Sequence, residues 1–418
     1  MPAALEEPES VLEVSEAVTR AATAGQRVKV VASGHSFTDI ACTDGRMLQL
    51  DRLDRVLDVD GTVVTVEAGI PFWKLNEALA VRDLALPNLG DIDRQTVAGA
   101  TATATHGTSL RYGGIAASIR GMELVTGDGS VLWCSPDEEP EVFHAARVGL
   151  GSLGVVTKVA LECVPAFRLH AVEKPRRWER FVEEWPSLVA DNDHVDAYWF
   201  PHTDTCTAKV SNRTDEPVRA RSAWKTWRDE LLLANYVFGA ATAIGRVAPS
   251  AIPPLARSIA GSIGKVELVD RSDRVFCTRR LVRFVEMEYS IPLADCVRAL
   301  VAIRELVESA QLRVSFPVEI RALVADDIPL STAYGDDRAY LAVHVPSGTP
   351  YAEYFRGVEA IMDDLGGRPH WGKLHFQDAT TLAPRYPEWE RFRALRRRID
   401  PEGRFANAYL DKVLGPAC

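Results

Sequence analysis

From Ala98 to Thr105 the chain reads Ala-Gly-Ala-Thr-Ala-Thr-Ala-Thr, and no charged residue occurs between Gln95 and Thr105. Eight successive residues without a large apolar side chain bury little surface of their own. The stretch is either a small-residue strand or tight packing loop, or the wall of a slot filled by something large and flat, such as an aromatic ring system. The second reading constrains the rest of the chain, which must bring a ligand to this wall. The lead-in Pro87-Asn88-Leu89-Gly90-Asp91 is rich in turn formers and can hydrogen-bond the same ligand. His106, at the far end before Gly107, is either a satisfied core histidine or a ring facing that ligand.

Two further glycine-bearing segments share this character. Val28-Lys29-Val30-Val31-Ala32 reads as a strand and runs into Ser33-Gly34-His35-Ser36. Gly34 allows positive φ or close approach of a ligand, and successive loop amides can cradle a pyrophosphate. His35 then stands at a turn beside the ligand, or else Gly34-His35 is a plain structural turn, which is the reading these residues favour on their own. Gly149-Leu150-Gly151-Ser152-Leu153-Gly154-Val155-Val156 is also glycine-rich, but a β-rich run over 155–162 comes next, where a dinucleotide fingerprint needs a helix. A nicotinamide site of that type is disfavoured, and without a GxxxxGK[ST] match so is an NTPase.

The C-terminal half supplies polar candidates. In 314–324, Val318 and Ile320 point one way along a strand and Glu319 and Arg321 the other. That pattern suits a pocket wall or a solvent-facing salt bridge. In Pro369-His370-Trp371-Gly372-Lys373, Gly372 lets the chain bend beside Trp371, so Lys373 projects into a cleft or lies on the surface. His375 is expected on the same strand face as Lys373. His370, Lys373 and His375 lack the acidic partner and spacing of a metal site, so no metal is expected.

A net charge of −10 argues against nucleic acid as a partner. The acidic start has no apolar leader, and seven dispersed cysteines without CxxC spacing fit a reducing cytoplasm. The longest apolar run, 231–245, is too short to span a bilayer and is expected to be a buried helix, or else a peripheral membrane or subunit contact. A helix is expected over 8–24, capped by Ser10 with Val11, Leu12, Val14, Val18 and Ala22 on its apolar stripe, and strands at 116–125, 130–133 and 155–162. After Pro165-Ala166 the character changes, with tryptophans at 178, 185, 199, 224 and 227, a charged helix over 219–230 and a strand over 284–291. The expected division is 1–167, 168–384 and a tail, 385–418, returning to the first domain through a helix over 387–398. The fold class is α+β.

In this order, Gly-His-Ser, Thr-His-Gly-Thr, Glu-Ile-Arg and His-Trp-Gly-Lys resemble the sugar-lactone and alditol oxidoreductases of the vanillyl-alcohol-oxidase-type flavoproteins. The likeness extends through Asp327-Ile328-Pro329-Leu330-Ser331-Thr332-Ala333-Tyr334-Gly335 and Asn407-Ala408-Tyr409. It implies a two-domain FAD-binding fold of the PCMH type, with FAD held by both chain ends and an antiparallel-sheet substrate domain flanked by helices. It implies that His35 links covalently to the flavin. It implies cofactor contacts from Ser33, Gly34, Ser36, Asn88, Gly90, Ala98, Gly99, Thr103, His106, Gly107, Gly151, Gly154, Val156, His370 and Asn407. Glu319, Arg321 and Lys373 are the implied catalytic residues, joined on the substrate by Thr108 and His344. The implied reaction is oxidation of a sugar 1,4-lactone by hydride transfer to the flavin, with oxygen, a quinone or a cytochrome as electron acceptor. Ala104 stands where related oxidases often have Gly. An alditol oxidase forming hydrogen peroxide would share these residues, and a non-catalytic flavin-binding protein would keep the loops without needing Glu319, Arg321 and Lys373 together.

Overall fold

The computed structural model describes residues 2–219, 238–278 and 282–417. The expected 219–230 helix, Trp224, Trp227 and residues 231–237 of the apolar run lie outside the described residues. The remainder of the run lies in the helix Phe238–Val247, where Ile244 is 51% exposed, so this part is a surface helix and not one buried all round. No helix among the described residues is long and apolar enough to cross a membrane.

The N-terminal part is built on two sheets. Helix α1 (Val11–Thr23) is capped by Ser10, whose Oγ accepts from the Glu13 amide at 3.3 Å. Its buried stripe is Val14, Ala17, Val18 and Ala21, while Leu12 points outward at 65% exposure. The apolar face is therefore centred on the small residues, which let the helix lie close to its sheet. Strands β1 (Ala4–Glu6), β2 (Val28–Val31) and β3 (Arg46–Gln49) form a parallel sheet in the order β1-β3-β2. Later in the chain come strands β4 (Val56–Asp60), β5 (Val63–Glu67), β6 (Leu84–Ala85), β7 (Ile119–Val125), β8 (Val131–Cys134), β9 (Val155–Glu162) and β10 (Val164–Pro165). All but β6 and β10, which pair with each other, make an antiparallel sheet in the order β4-β5-β9-β7-β8.

Helix α2 (Phe72–Ala80) precedes the small-residue segment, whose first part is a helix and not a strand and whose end, 103–105, is turn and loop. Residues Val97–Ala102 form a short helix, α3, capped by Thr96 through the Gly99 amide at 3.1 Å. Alanine favours helix, and the Thr101 and Thr103 hydroxyls fold back onto the carbonyls of Val97 (2.9 Å) and Gly99 (3.4 Å). The Thr101 and Thr103 oxygens are thus satisfied within the helix, while the Thr105 hydroxyl is buried without a partner among the described residues.

The middle of the chain forms one antiparallel sheet. Helix α4 (Pro140–Ala146) lies between β8 and β9, and after β10 come β11 (Arg168–Arg177), helix α5 (Trp178–Asp191), β12 (His194–Trp199), β13 (Thr205–Thr214), β14 (Val266–Arg271), β15 (Phe284–Pro292), β16 (Val318–Leu323), β17 (Arg338–Pro346) and β18 (Arg368–Pro369). The strand order is β14-β11-β13-β12-β16-β17-β15-β18. One face carries Val195, Ala197, Met287, Ile291, Ile320, Leu341 and Val343, packed against α5 and the helices Cys296–Ser309 and Ala352–Asp364. The pleat then forces their neighbours to the other face. Register aligns Glu286 with His344, Glu288 with Ala342 and Glu319, and Ser290 with Tyr340 and Arg321. An apolar core on one side thus leaves a row of charged residues on the other.

The chain ends its course on the N-terminal sheets. The Arg404 carbonyl accepts from the Val28 amide at 2.8 Å, and Phe405 joins the core beneath α1. The helices Trp389–Ile399 and Ala408–Leu414 bury Trp389, Phe392, Leu410 and Val413 with residues of β5, α2 and α3. Residues 373–378 are not a strand, so Lys373 and His375 share no strand face; the turn that starts at Trp371 breaks it.

Candidate active site

Two cavities meet at His35, Ser36, Gln95 and Thr103. The first, about 290 Å³, runs between β2, the 33–36 loop, α3 and the 149–156 turn. Ser33, Gly34, Ala98, Gly99, Gly151, Gly154 and Val156 lie on its wall beside His35, Ser36 and Thr103. Gly34 adopts φ +70, and among the described residues no backbone carbonyl accepts from the amides of 33–36. Unclaimed amides around a turn are what a pyrophosphate requires. At Gly99 an added Cβ would stand 2.8 Å from the Ala32 Cβ, so only glycine lets α3 and β2 close on the slot. The walls therefore fit a dinucleotide such as FAD.

Sequence reasoning missed Lys29 in this cavity. Its ammonium donates to the carbonyls of Gly151 (3.1 Å) and Phe405 (3.3 Å), tying β2 to the glycine turn and to the returning chain. Burial, with repulsion from Arg396, pushes its pKa down to about 7. A lysine in an apparently plain Val-Lys-Val-Val strand gives no local sign of this.

The second cavity, about 620 Å³, lies between the 90–95 loop, His106, the charged face of the large sheet and the 370–373 turn. Gly90, His106, Arg321, His370 and Lys373 line it, and so do Glu286 and Glu288, which sequence reasoning also missed. The alternation in Phe-Val-Glu-Met-Glu-Tyr-Ser over 284–290 was the available signal.

The charged side chains are paired. Arg321 is 7% exposed and meets Glu319 at 2.5 Å, Asp196 at 3.1 Å and Asp91 at 3.4 Å. Glu319 also accepts from the Tyr198 hydroxyl at 2.7 Å and stands behind Arg321, off the cavity wall. Lys373 is paired with Glu286 and lies 5.3 Å from the centre of the Phe37 ring. Burial raises the Glu286 carboxyl, but Lys373 and His344 outweigh it and hold the group at about 2. Burial likewise opposes the Lys373 charge, yet Glu286 and Glu288 keep its pKa above the ordinary lysine value. His370 is not without an acidic partner: Glu288, from a strand some eighty positions earlier, brings a carboxylate oxygen within 4.8 Å of its ring and that of His106. Burial pushes the His370 imidazole down to about 3.

Several residues expected at the ligand are placed elsewhere, some because buried backbone claims their polar atoms and others because packing sets their place. The Thr108 hydroxyl donates to Val195 O (2.6 Å) and accepts from the Ala322 amide (3.2 Å), so it anchors the loop to β12 and β16 and does not face the cavity. Asn88 donates to the carbonyls of Tyr112 (3.2 Å) and Gly113 (3.1 Å). A Cβ on Gly107 would fall 2.2 Å from Leu89 O, which makes it a packing glycine. His344 sits behind Glu286, its Nε2 3.5 Å from Oε1. Ala104 adopts φ +60 and turns into the core, while its neighbours Thr103 and Thr105 face the second cavity. Asn407 donates to the carbonyls of Asp39 (3.0 Å), Ile40 (3.1 Å) and Cys42 (2.9 Å) and caps Leu410 at 2.8 Å. Asn407→Ala is expected to lower unfolding free energy by about 2–3 kcal/mol, since it strands buried carbonyls and removes a cap. Denaturant melts of the apoprotein check this.

Comparisons with known proteins agree with this construction. The D-arabinono-1,4-lactone oxidase family model matches residues 159–413, and an FAD-binding domain model matches 2–135. The chain is 44% identical to L-gulono-1,4-lactone dehydrogenase of Mycobacterium tuberculosis, over 99% of this chain and 96% of that one. It is 35% identical to L-gulonolactone oxidase of Scyliorhinus torazame, over 97% and 94%. Among solved structures, a solvent-stable cholesterol oxidase superposes with a TM-score of 0.84 at 18% identity, over 99% of this chain and 94% of that one, a likeness of fold. On these matches, and on a glycine-walled dinucleotide slot opening onto a charged sheet face, the chain belongs to the D-arabinono-1,4-lactone oxidase family of FAD-dependent oxidoreductases.

Proposed function

We propose that this protein oxidises a sugar 1,4-lactone of the gulono-, galactono- or arabinono- type at a carbon bearing a hydroxyl. The observation that carries this reading is the meeting of the two cavities at His35, with Arg321 and Lys373 on the substrate side. Residues 33–36, α3 and the 149–156 turn hold FAD, which when bound accepts the hydride. Arg321 and Lys373 stabilise negative charge developing across the cavity, as preorganised cations do in a dry site. Glu319 acts through Arg321, fixing its guanidinium, and is a positioning residue. The names of the relatives support a lactone over an alditol.

His35 carries the flavin covalently. Burial and then Lys373 push its imidazole below the ordinary value, which keeps a ring nitrogen free of its proton for attachment. In His35→Ala, acid precipitation should release all the FAD into the supernatant, whereas the unsubstituted protein keeps it in the pellet; yellow supernatant from both would reject the link.

The decisive experiment is anaerobic mixing with lactones and polyols while the flavin absorbance is followed, then admission of air. Bleaching by a lactone supports the reading, and bleaching by xylitol or sorbitol alone would replace it with an alditol oxidase. Recolouring in air identifies oxygen as an acceptor; recolouring only with a quinone or a cytochrome identifies a dehydrogenase.

A further inference from the structure

We propose that Glu288, backed by His106, takes the hydroxyl proton of the substrate, an inference that rests on the lactone reading above. Of the carboxylates on the charged sheet face, Glu319 is held by Tyr198 and Arg321 and lies off the cavity wall. Glu286 lines the cavity but is joined to Lys373. Glu288 is 3% exposed, lines the cavity, and meets the His106 Nε2 only at 3.5 Å, longer than a good hydrogen bond. Its carboxylate keeps acceptor capacity for a hydroxyl.

The histidine is arranged to take the proton onward. His106 Nδ1 lies 2.8 Å from the Gly107 carbonyl, which can only accept, so Nδ1 carries hydrogen. In a neutral ring the nitrogen turned to Glu288 is then the one with a lone pair, able to take a proton from that side. The 3.5 Å contact leaves the two without a tight hydrogen bond before the reaction. Once Glu288 is protonated, an O–H···N hydrogen bond can form there. The ring is held by Tyr340, 3.8 Å between centroids. On the remaining sides of Glu288 stand His370, Lys373 and, on its own strand, Glu286. His370 Nδ1 accepts from the Gly372 amide at 3.1 Å, which fixes that ring as well.

Atoms and charge balance across the step. The C–H bond breaks with its electron pair leaving as hydride to bound FAD, the O–H bond breaks with its proton going to Glu288, and the carbonyl forms. As the hydride departs, the carbon becomes electron-poor and the hydroxyl strongly acidic, so a weakly basic carboxylate suffices late in the step. The proton then passes from Glu288 to His106 Nε2, leaving the carboxylate ready again.

The test uses the FAD-loaded protein under anaerobic conditions with L-gulono-1,4-lactone. Glu288→Gln is expected to bleach at least ~100-fold more slowly at saturating lactone, the low end of general-base effects. Lactone affinity, read from the perturbed flavin spectrum, should weaken by no more than about tenfold, since the amide oxygen of the variant still accepts from the hydroxyl and only the charge assistance is lost. In Glu288→Ala, added formate should restore bleaching in a saturable manner, which a residue of purely structural role would not allow. Glu288→Gln bleaching within about tenfold of the unsubstituted rate, well short of a general-base effect, overturns the proposal. So does Glu288→Ala that binds FAD and lactone but is not rescued by formate. If no lactone bleaches the unsubstituted protein, the lactone reading falls and takes this inference with it; fast bleaching of both proteins sinks this inference alone.

Discussion

Arg321→Met should slow flavin bleaching by lactone by about 10²–10³-fold, the loss seen when a preorganised charge-stabilising donor is removed. It should also lower unfolding free energy by about 3–5 kcal/mol, because breaking a buried ion pair leaves its partners uncompensated. Glu319, Asp196 and Asp91 all converge on this one guanidinium. Asp91 comes from the loop before α3, whereas the other two come from the large sheet, so the residue also joins the two halves of the cavity. The two effects separate: Asp196→Asn added to Arg321→Met should recover part of the stability and none of the rate. Arg321→Lys should recover charge without the fork that engages several carboxylates, and so fall between. Calorimetry and stopped-flow bleaching measure the two quantities.

The second large effect is expected from Lys373→Met. The loss of a fixed cation beside the reacting atoms should slow bleaching by about 10²–10³-fold. A pH signature accompanies it. The Glu286 carboxyl sits at about 2 because Lys373 and His344 overcome its burial. A depressed carboxyl contributes stability above its unfolded value, and that contribution is lost as pH falls toward about 2. Without Lys373, burial and repulsion from Glu288 are opposed by His344 alone, and the Glu286 carboxyl should be raised. Stability of the variant should then fall as pH rises from about 5 to about 8, where the unsubstituted protein gains nothing from this group. Melting temperatures across that range test the sign. A flat comparison would mean that His344 alone holds the charge.

Much of this architecture is legible in the residues. The period-two alternation around Val318-Glu319-Ile320-Arg321 places an ion pair opposite a core, and β16 has that form. The glycine spacing at 33–36 and 149–154 marks the slot walls. The small-residue stretch is a wall, as its composition suggests, but a helical one, because alternation of alanine and threonine mimics a strand while the Thr96 cap and hydroxyl back-bonding favour a helix. Glu286, Glu288 and Lys29 escape sequence reasoning for a different reason. Each sits in an ordinary amphipathic strand, and its partner arrives from 80 to 380 positions away. Thr108, Asn88 and Asn407 look like ligand contacts because nothing in a sequence shows that a buried carbonyl already holds a side chain.

The bond from Val28 to Arg404, the Lys29–Phe405 contact and the three carbonyls grasped by Asn407 join the chain's earliest strands to some of its latest residues. During synthesis the slot for the prosthetic group therefore stands open on one side until those late residues clear the ribosome. A cut between positions 399 and 404 should therefore loosen this slot while leaving the large sheet intact, since the contacts that close its side come from Arg404, Phe405 and Asn407 and the last strand of that sheet ends at Pro369.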